Sequence, residues 1–109
     1  MNKRIKTKWI AALRSGKYTQ TRQVLRDAKG FCCLGVLCEI SKQKTGFGIA
    51  ENLIESVEEV LGNTIRKWAG LDQPTGALVY IDGALDHLSQ HNDNSHTFLE
   101  IADAIEKQL

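Results

Sequence analysis

Three cysteines, three histidines and thirteen carboxylates are the side chains here that could act chemically on another molecule. The cysteines sit together in Gly30-Phe31-Cys32-Cys33-Leu34-Gly35-Val36-Leu37-Cys38-Glu39-Ile40. Structural zinc sites pair their ligands at C-x2-4-C spacing. Here Cys32 and Cys33 are adjacent and Cys38 follows after four residues, which matches no standard knuckle. His87 and His91, four apart on a predicted helix, could add nitrogen ligands. The plainer reading has buried thiols acting as small hydrophobes and exposed histidines on a polar helix, so no metal is expected. A reactive thiolate needs a lowered pKa, from a helix N-terminus or a histidine partner. Cys32 or Cys33 could stand at a helix start, yet their neighbours are apolar and no Cys–His–Asp pattern is present. The acidic rows Glu55-Glu58-Glu59 and Glu100-Asp103-Glu106 read as solvated helix faces. Gly46-Phe47-Gly48 lacks the further glycine and the lysine of a phosphate-cradling loop. The expectation is therefore a protein that is not an enzyme and uses no cofactor.

Charge is the second source of chemistry. Residues 1–29 carry nine basic side chains and one acid, a net +8, and the remaining residues sum to −7. Such a split suits an anion-binding N-terminal face, or two halves that neutralise each other within one chain or across a homo-oligomer. Within the basic segment, Arg14, Lys17, Tyr18, Gln20, Arg22 and Arg26 bring cations, an aromatic ring and an amide close together. Guanidinium forks beside a stacking ring suit a phosphate-bearing nucleotide, and the same set suits an acidic protein. These six are the candidate ligand-binding residues.

The elements that position them follow from periodicity. Ile5, Trp9, Ala12 and Leu13 predict a helix from about Lys3 to Ser15, stopped at Gly16. Tyr18 to Arg26 reads as extended, and Val24–Arg26 with Phe31–Cys32 as a short hairpin around Asp27–Gly30. Leu34, Leu37, Cys38 and Ser41 predict a buried helix over Cys32–Lys42, in which Gly35 would allow close approach of another backbone. Residues 44–48 read as a loop, and Glu51–Leu61 as an amphipathic helix closed by Gly62. Asn63 or Thr64 would cap a short helix through Trp68-Ala69, ended by Gly70. Residues 72–76 form a turn, and Ala77–Ile81 a strand that pairs with the earlier hairpin and is broken by Asp82-Gly83. Leu85 and Leu88 begin a short helix ending near Asn92–Asn94. Thr97 and Glu100 form a capping box for a last helix carrying Phe98, Ile101, Ala102, Ile105 and Leu109. The predicted fold is α+β: one compact domain over residues 1–109, with about four helices on a small, mainly antiparallel sheet. Its core should hold Trp9, Leu13, Leu34, Leu37, Cys38, Trp68, Phe98, Ile101 and Ile105.

Compartment follows from what the chain lacks. The longest apolar run, Phe31–Cys38, is far shorter than the roughly 20 residues that cross a bilayer. The basic N-terminus has no apolar stretch behind it, so no secretory signal is read. An odd number of cysteines, two of them adjacent, argues against a disulfide framework. A reduced, cytoplasmic protein without membrane contact is expected.

Trp9-Ile10-Ala11-Ala12-Leu13-Arg14-Ser15-Gly16-Lys17-Tyr18 followed by Gly30-Phe31-Cys32-Cys33-Leu34-Gly35-Val36-Leu37-Cys38 resembles a group of small, mostly uncharacterised proteins of tailed phages and prophages. Trp68-Ala69-Gly70-Leu71, Asn92-Asp93 and Thr97–Glu106 are similar to the same group. One departure is Asn94-Ser95-His96, where a glycine-containing turn is usual. The resemblance implies an accessory protein that binds a host target in the host cytoplasm, including as a counter-defence factor that sequesters a nucleotide signal or inhibits a host protein. The alternative is a DNA- or RNA-binding regulator using the basic segment and the C-terminal helix pair. The acids of the last helix weigh against groove reading by that pair.

Overall fold

Asn2 opens the first helix by accepting, on its side-chain oxygen, the Ile5 N–H at 3.0 Å. A computed structural model of the chain describes residues 1–45 and 60–109. Helix α1 spans Lys3–Arg14, α2 Cys33–Thr45, α3 Asn63–Ala69, α4 Leu88–Asp93 and α5 Phe98–Gln108; strands β1 (Leu78–Ile81) and β2 (Ala84–His87) form one antiparallel sheet. The α+β layout agrees with expectation, with five helices among the described residues rather than about four.

The apolar faces meet in one cluster. Trp9, Leu34, Leu37, Leu88, Ile101 and Ile105 are fully buried, and Leu13, Cys38 and Phe98 nearly so. Trp68, expected in the core, is only half-buried at its margin. The first half of helix α2, Cys33–Cys38, runs through the middle because it is apolar on almost every side. Gly35 permits this: a Cβ there would collide with the Leu25 carbonyl, so the helix lies directly on the backbone of the preceding segment. The Trp9 indole N–H donates to the Cys33 carbonyl at 2.9 Å, tying α1 to the start of α2.

Several local expectations are corrected. The 24–26/31–32 hairpin is no continuous ladder, because Phe31 bridges both Arg26 (antiparallel) and Gln20 (parallel). The Asp27 carboxylate draws the turn inward by accepting the Lys29 and Gly30 N–H groups and the Thr21 hydroxyl. Strand β1 pairs with β2, not with that segment, in the register Ile81↔Ala84, Tyr80↔Leu85, Val79↔Asp86. Asp82-Gly83, read as a strand breaker, is the two-residue turn of a hairpin, with φ of 53° and 80°. An Asp-Gly pair adopts these left-handed angles readily, and they match the strand twist. Leu85 is therefore in a strand, and α4 begins only at Leu88. Helix α2 extends through Thr45, beyond the expected end at Lys42. Gly62 stands at the N-cap of α3 instead of closing an earlier helix, and neither Asn63 nor Thr64 caps. Val60 and Leu61 are not helical. The rest of the helix expected over 51–61, like Gly46-Phe47-Gly48, lies outside the described residues.

The Thr97–Glu100 capping box forms as expected, with the Glu100 N–H on Thr97 Oγ1 at 3.2 Å and the Thr97 N–H on Glu100 Oε1 at 3.1 Å. Gly70 ends α3 in the left-handed region. Ser95 takes φ 77° in the turn before α5, the conformation that a glycine would adopt more cheaply. Among the described residues no helix is long and apolar enough to cross a membrane.

Asn92 in α4 joins three segments. Its Oδ1 accepts from the Cys33 N–H at 3.1 Å and from Gln20 Nε2 at 2.8 Å, and its Nδ2 donates to the Thr21 carbonyl at 2.8 Å. The residue is completely buried. Asn92→Ala strands buried groups at about 1–3 kcal/mol each. It is expected to lower the thermal unfolding midpoint by on the order of 10 °C or more. The exposed substitution Leu99→Ala should leave that midpoint nearly unchanged in the same melts.

Candidate binding surface

Helix α1 has three functional faces because its residue types change every third or fourth position. Ile5, Trp9 and Leu13 turn into the core. Lys6 and Arg14 turn toward α5. Arg4, Lys8, Ala11 and Ser15, at spacing i, i+4, i+7, i+11, form a stripe directed away from both.

The α5-facing cations are used within the fold. Arg14 Nη2 meets Asp103 Oδ1 at 2.7 Å, and its Nη1 meets Glu106 Oε2 at 3.1 Å. Lys6 Nζ donates to the Glu106 carbonyl at 3.2 Å. The Arg14 guanidinium holds the Glu106 carboxyl below its usual range, chiefly through their hydrogen bond. The same pairing raises Arg14 further.

The outward stripe borders two shallow clefts. One, of about 430 Å³, is lined by Lys8, Ala11, Ala12, Ser15, Lys17, Tyr18 and Ile40. The other, about 200 Å³, lies between Arg4, Lys8 and Trp68. Tyr18 stacks edge-on against Phe31 with centroids 5.3 Å apart, and the Arg26 guanidinium lies over the same Phe31 ring at 5.3 Å. A cationic and aromatic surface thus runs from Arg4 along α1 to Tyr18 and on to Arg26.

Of the six residues expected to bind a ligand, Lys17 and Tyr18 line a cleft and Arg26 flanks it through Phe31. Arg22 is exposed. Arg14 is paired with α5, and Gln20 is turned inward, donating to Asn92 Oδ1 and the His96 carbonyl, each at 2.8 Å. The six do not converge on one pocket. Arg4, Lys8 and Trp68, which are not among the six, also belong to the surface. The signal for the first two was the i, i+4 spacing on a helix whose opposite face is apolar.

The cysteines and histidines are placed as follows. Burial pushes the Cys32 thiol up to about 11. The fully buried Cys33 is held well above its ordinary value for the same reason. Cys32 does stand at a helix start, where its Sγ accepts the Gly35 N–H at 3.4 Å, and desolvation still prevails. His87 closes β2 instead of sharing a helix face with His91. His91, expected to be exposed, is buried with Nε2 2.8 Å from the Val79 carbonyl. Asp82, His96 and Glu100 place ligand atoms within 4.8 Å of one another. Both Glu100 oxygens are already engaged, Oε1 in the capping box and Oε2 with His96 Nδ1 at 3.1 Å.

Among known protein families, the domain of unknown function DUF8296 matches residues 1–109. No curated protein and no solved structure matches the chain.

Two measurements check these assignments. Glu106, Glu100 and Asp27 all have lowered pKa values, set chiefly by Arg14, the Thr97 N–H and the Thr21 hydroxyl respectively. A depressed carboxyl contributes stability that is complete above its ordinary value and is lost as pH falls through the folded value. Melts should therefore weaken below about pH 4. The deficit of Arg14→Ala relative to the wild type should be largest near neutrality and shrink in acid; a pH-independent deficit would contradict the pairing. In the second measurement, all three native thiols should react with iodoacetamide much more slowly than in denaturant. One fast native thiol would reverse the assignment of these cysteines as core residues.

Proposed function

We propose that this chain, which belongs to the DUF8296 family, is a non-enzymatic binding protein that takes an acidic protein surface on the outward face of α1. The observation that carries the reading is the division of the basic segment. Lys6 and Arg14 are spent on α5, while Arg4 and Lys17 border open clefts beside Trp68 and Tyr18. Cations next to half-buried aromatic rings are the composition that anchors protein interfaces. Shallow clefts favour a macromolecular partner over a sequestered nucleotide, since small-ligand sites enclose most of their ligand. A role as a phage-type accessory protein in the host cytoplasm, directed at a host target such as a defence protein, extends this reading and rests on the sequence resemblance. Buried, protonated thiols support the non-enzymatic part.

Nucleic acid is the competing anion, because phosphates would also be attracted to this stripe. The acidic α5, with Asp103 and Glu106 facing Arg14, lowers the case for groove reading by the C-terminal helices.

Fluorescence anisotropy with a labelled polyglutamate peptide and a labelled 20-nucleotide DNA tests the reading. The peptide is expected to bind, and Arg4→Glu combined with Lys17→Glu to weaken it at least about tenfold, with the melting midpoint within about 2 °C of wild type. Tighter binding of DNA than of peptide would transfer the surface to nucleic acid, and no binding of either would end the proposal. Calorimetric heat with a mononucleotide, lost in the same variant, would restore the sequestration reading.

A further inference from the structure

The two edges of the β1–β2 sheet are treated differently. In an antiparallel ladder the pairs alternate between those that exchange hydrogen bonds and those whose N–H and C=O point away from the partner. The two-residue turn makes Ile81↔Ala84 the closing bonded pair, so the backbone groups of Tyr80 and Leu85 are directed outward on opposite edges. At Tyr80 the outward groups are bracketed by one side chain from α5: the Tyr80 N–H donates to Gln108 Oε1 and Gln108 Nε2 donates to the Tyr80 carbonyl, both at 2.8 Å. Among the described residues no such bracket covers Leu85, and β2 packs on β1 and on α4 alone among the principal element contacts.

The surface beside this open edge is apolar. Leu78, Tyr80 and Leu85 are 46%, 58% and 51% exposed, and all three share the outer face of the hairpin. Proteins commonly guard such an edge with lysine, proline or a bulge. Residues 77–87 contain none of these, and their charges are the carboxylates of Asp82 and Asp86; Asp86 Oδ1 also accepts the His87 N–H at 2.8 Å, which leaves Leu85 as the position of β2 whose outward groups have no partner among the described residues.

We propose that the outer edge of β2 is a strand-addition site for an extended partner segment that alternates apolar residues with Lys or Arg. The Leu85 N–H and C=O set its register, its apolar side chains extend the band of Tyr80 and Leu85, and its cations meet Asp82 and Asp86. Charge decides the occupant. A second copy of β2 would bring further carboxylates and no lysine or arginine to the edge, and like charges across paired strands destabilise them. The site is separate from the basic face of α1 and does not depend on it.

The test uses the full chain, labelled with nitrogen-15, and a blocked Lys-Val-Lys-Val-Lys-Val peptide. The expected result is saturable shifts centred on the Leu85 amide, weakening as salt rises. Binding should fall about tenfold or more with the backbone N-methylated peptide and with Leu85→Pro, which deletes an outward N–H without touching the β1–β2 ladder. It should be unchanged in the Arg4→Glu, Lys17→Glu double variant. Equal binding of a Glu-Val-Glu-Val-Glu-Val peptide would overturn the proposal, as would undiminished binding of the methylated peptide. Shifts confined to α1, or self-association through this edge without peptide binding, would do the same.

Discussion

The buried amide of Asn92 is the constraint on which the arrangement of this protein depends. Helix α2 carries the apolar side chains that fill the core, and its first turn is capped by the sulfur of Cys32. That sulfur accepts the Gly35 N–H, and the Cys33 N–H is met from a distant element, by Asn92 Oδ1. The same amide holds the 20–21 segment through Thr21 and Gln20. A buried helix start with no partner is costly, since each exposed donor has lost its water. One side chain from α4 therefore fixes the depth of α2, the path of the extended segment and the position of α4 together.

That fixed frame explains the division of positive charge. Once α2 occupies the centre, α1 must bury Ile5, Trp9 and Leu13 in the core, and the helical period then determines where its lysines and arginines point. One flank meets the acids of α5 and is neutralised there. The other borders the two clefts. The +8 segment is thus partly cancelled at home and partly displayed, an outcome between the two that the charge count alone offered.

The cysteine-rich run has a corresponding explanation. Its thiols pack as small side chains where α2 passes between the extended segment and α4. Burial keeps Cys32 and Cys33 protonated even at a helix N-terminus, the place where a thiolate would otherwise be favoured. The backbone approach at Gly35 follows from the same tight packing. Three exposed apolar side chains, Leu78, Tyr80 and Leu85, are instead on the hairpin, whose β1 edge is closed by Gln108 and whose Leu85 backbone has no partner among the described residues.

The sequence by itself determined the local features. The ends of α1 and α5, the capping box, the left-handed stop at Gly70, the need for a glycine at position 35 and most of the core were legible because periodicity and capping act within a few residues. Lys17 and Tyr18 were legible in the same way, as a cation and a ring beside a helix stop. The Asp-Gly dipeptide could have revealed the hairpin, but the leucines after it suggested a helix, and short apolar runs do not distinguish the two. Only the tertiary structure decided the rest: that Arg14 pairs with α5 and Gln20 turns inward, each to partners more than 70 residues away, that His91 is buried, and that Arg4 and Trp68 adjoin the same cleft. Those outcomes depend on which elements pack side by side, and no local pattern encodes the charge or depth of a neighbour that is distant in the chain.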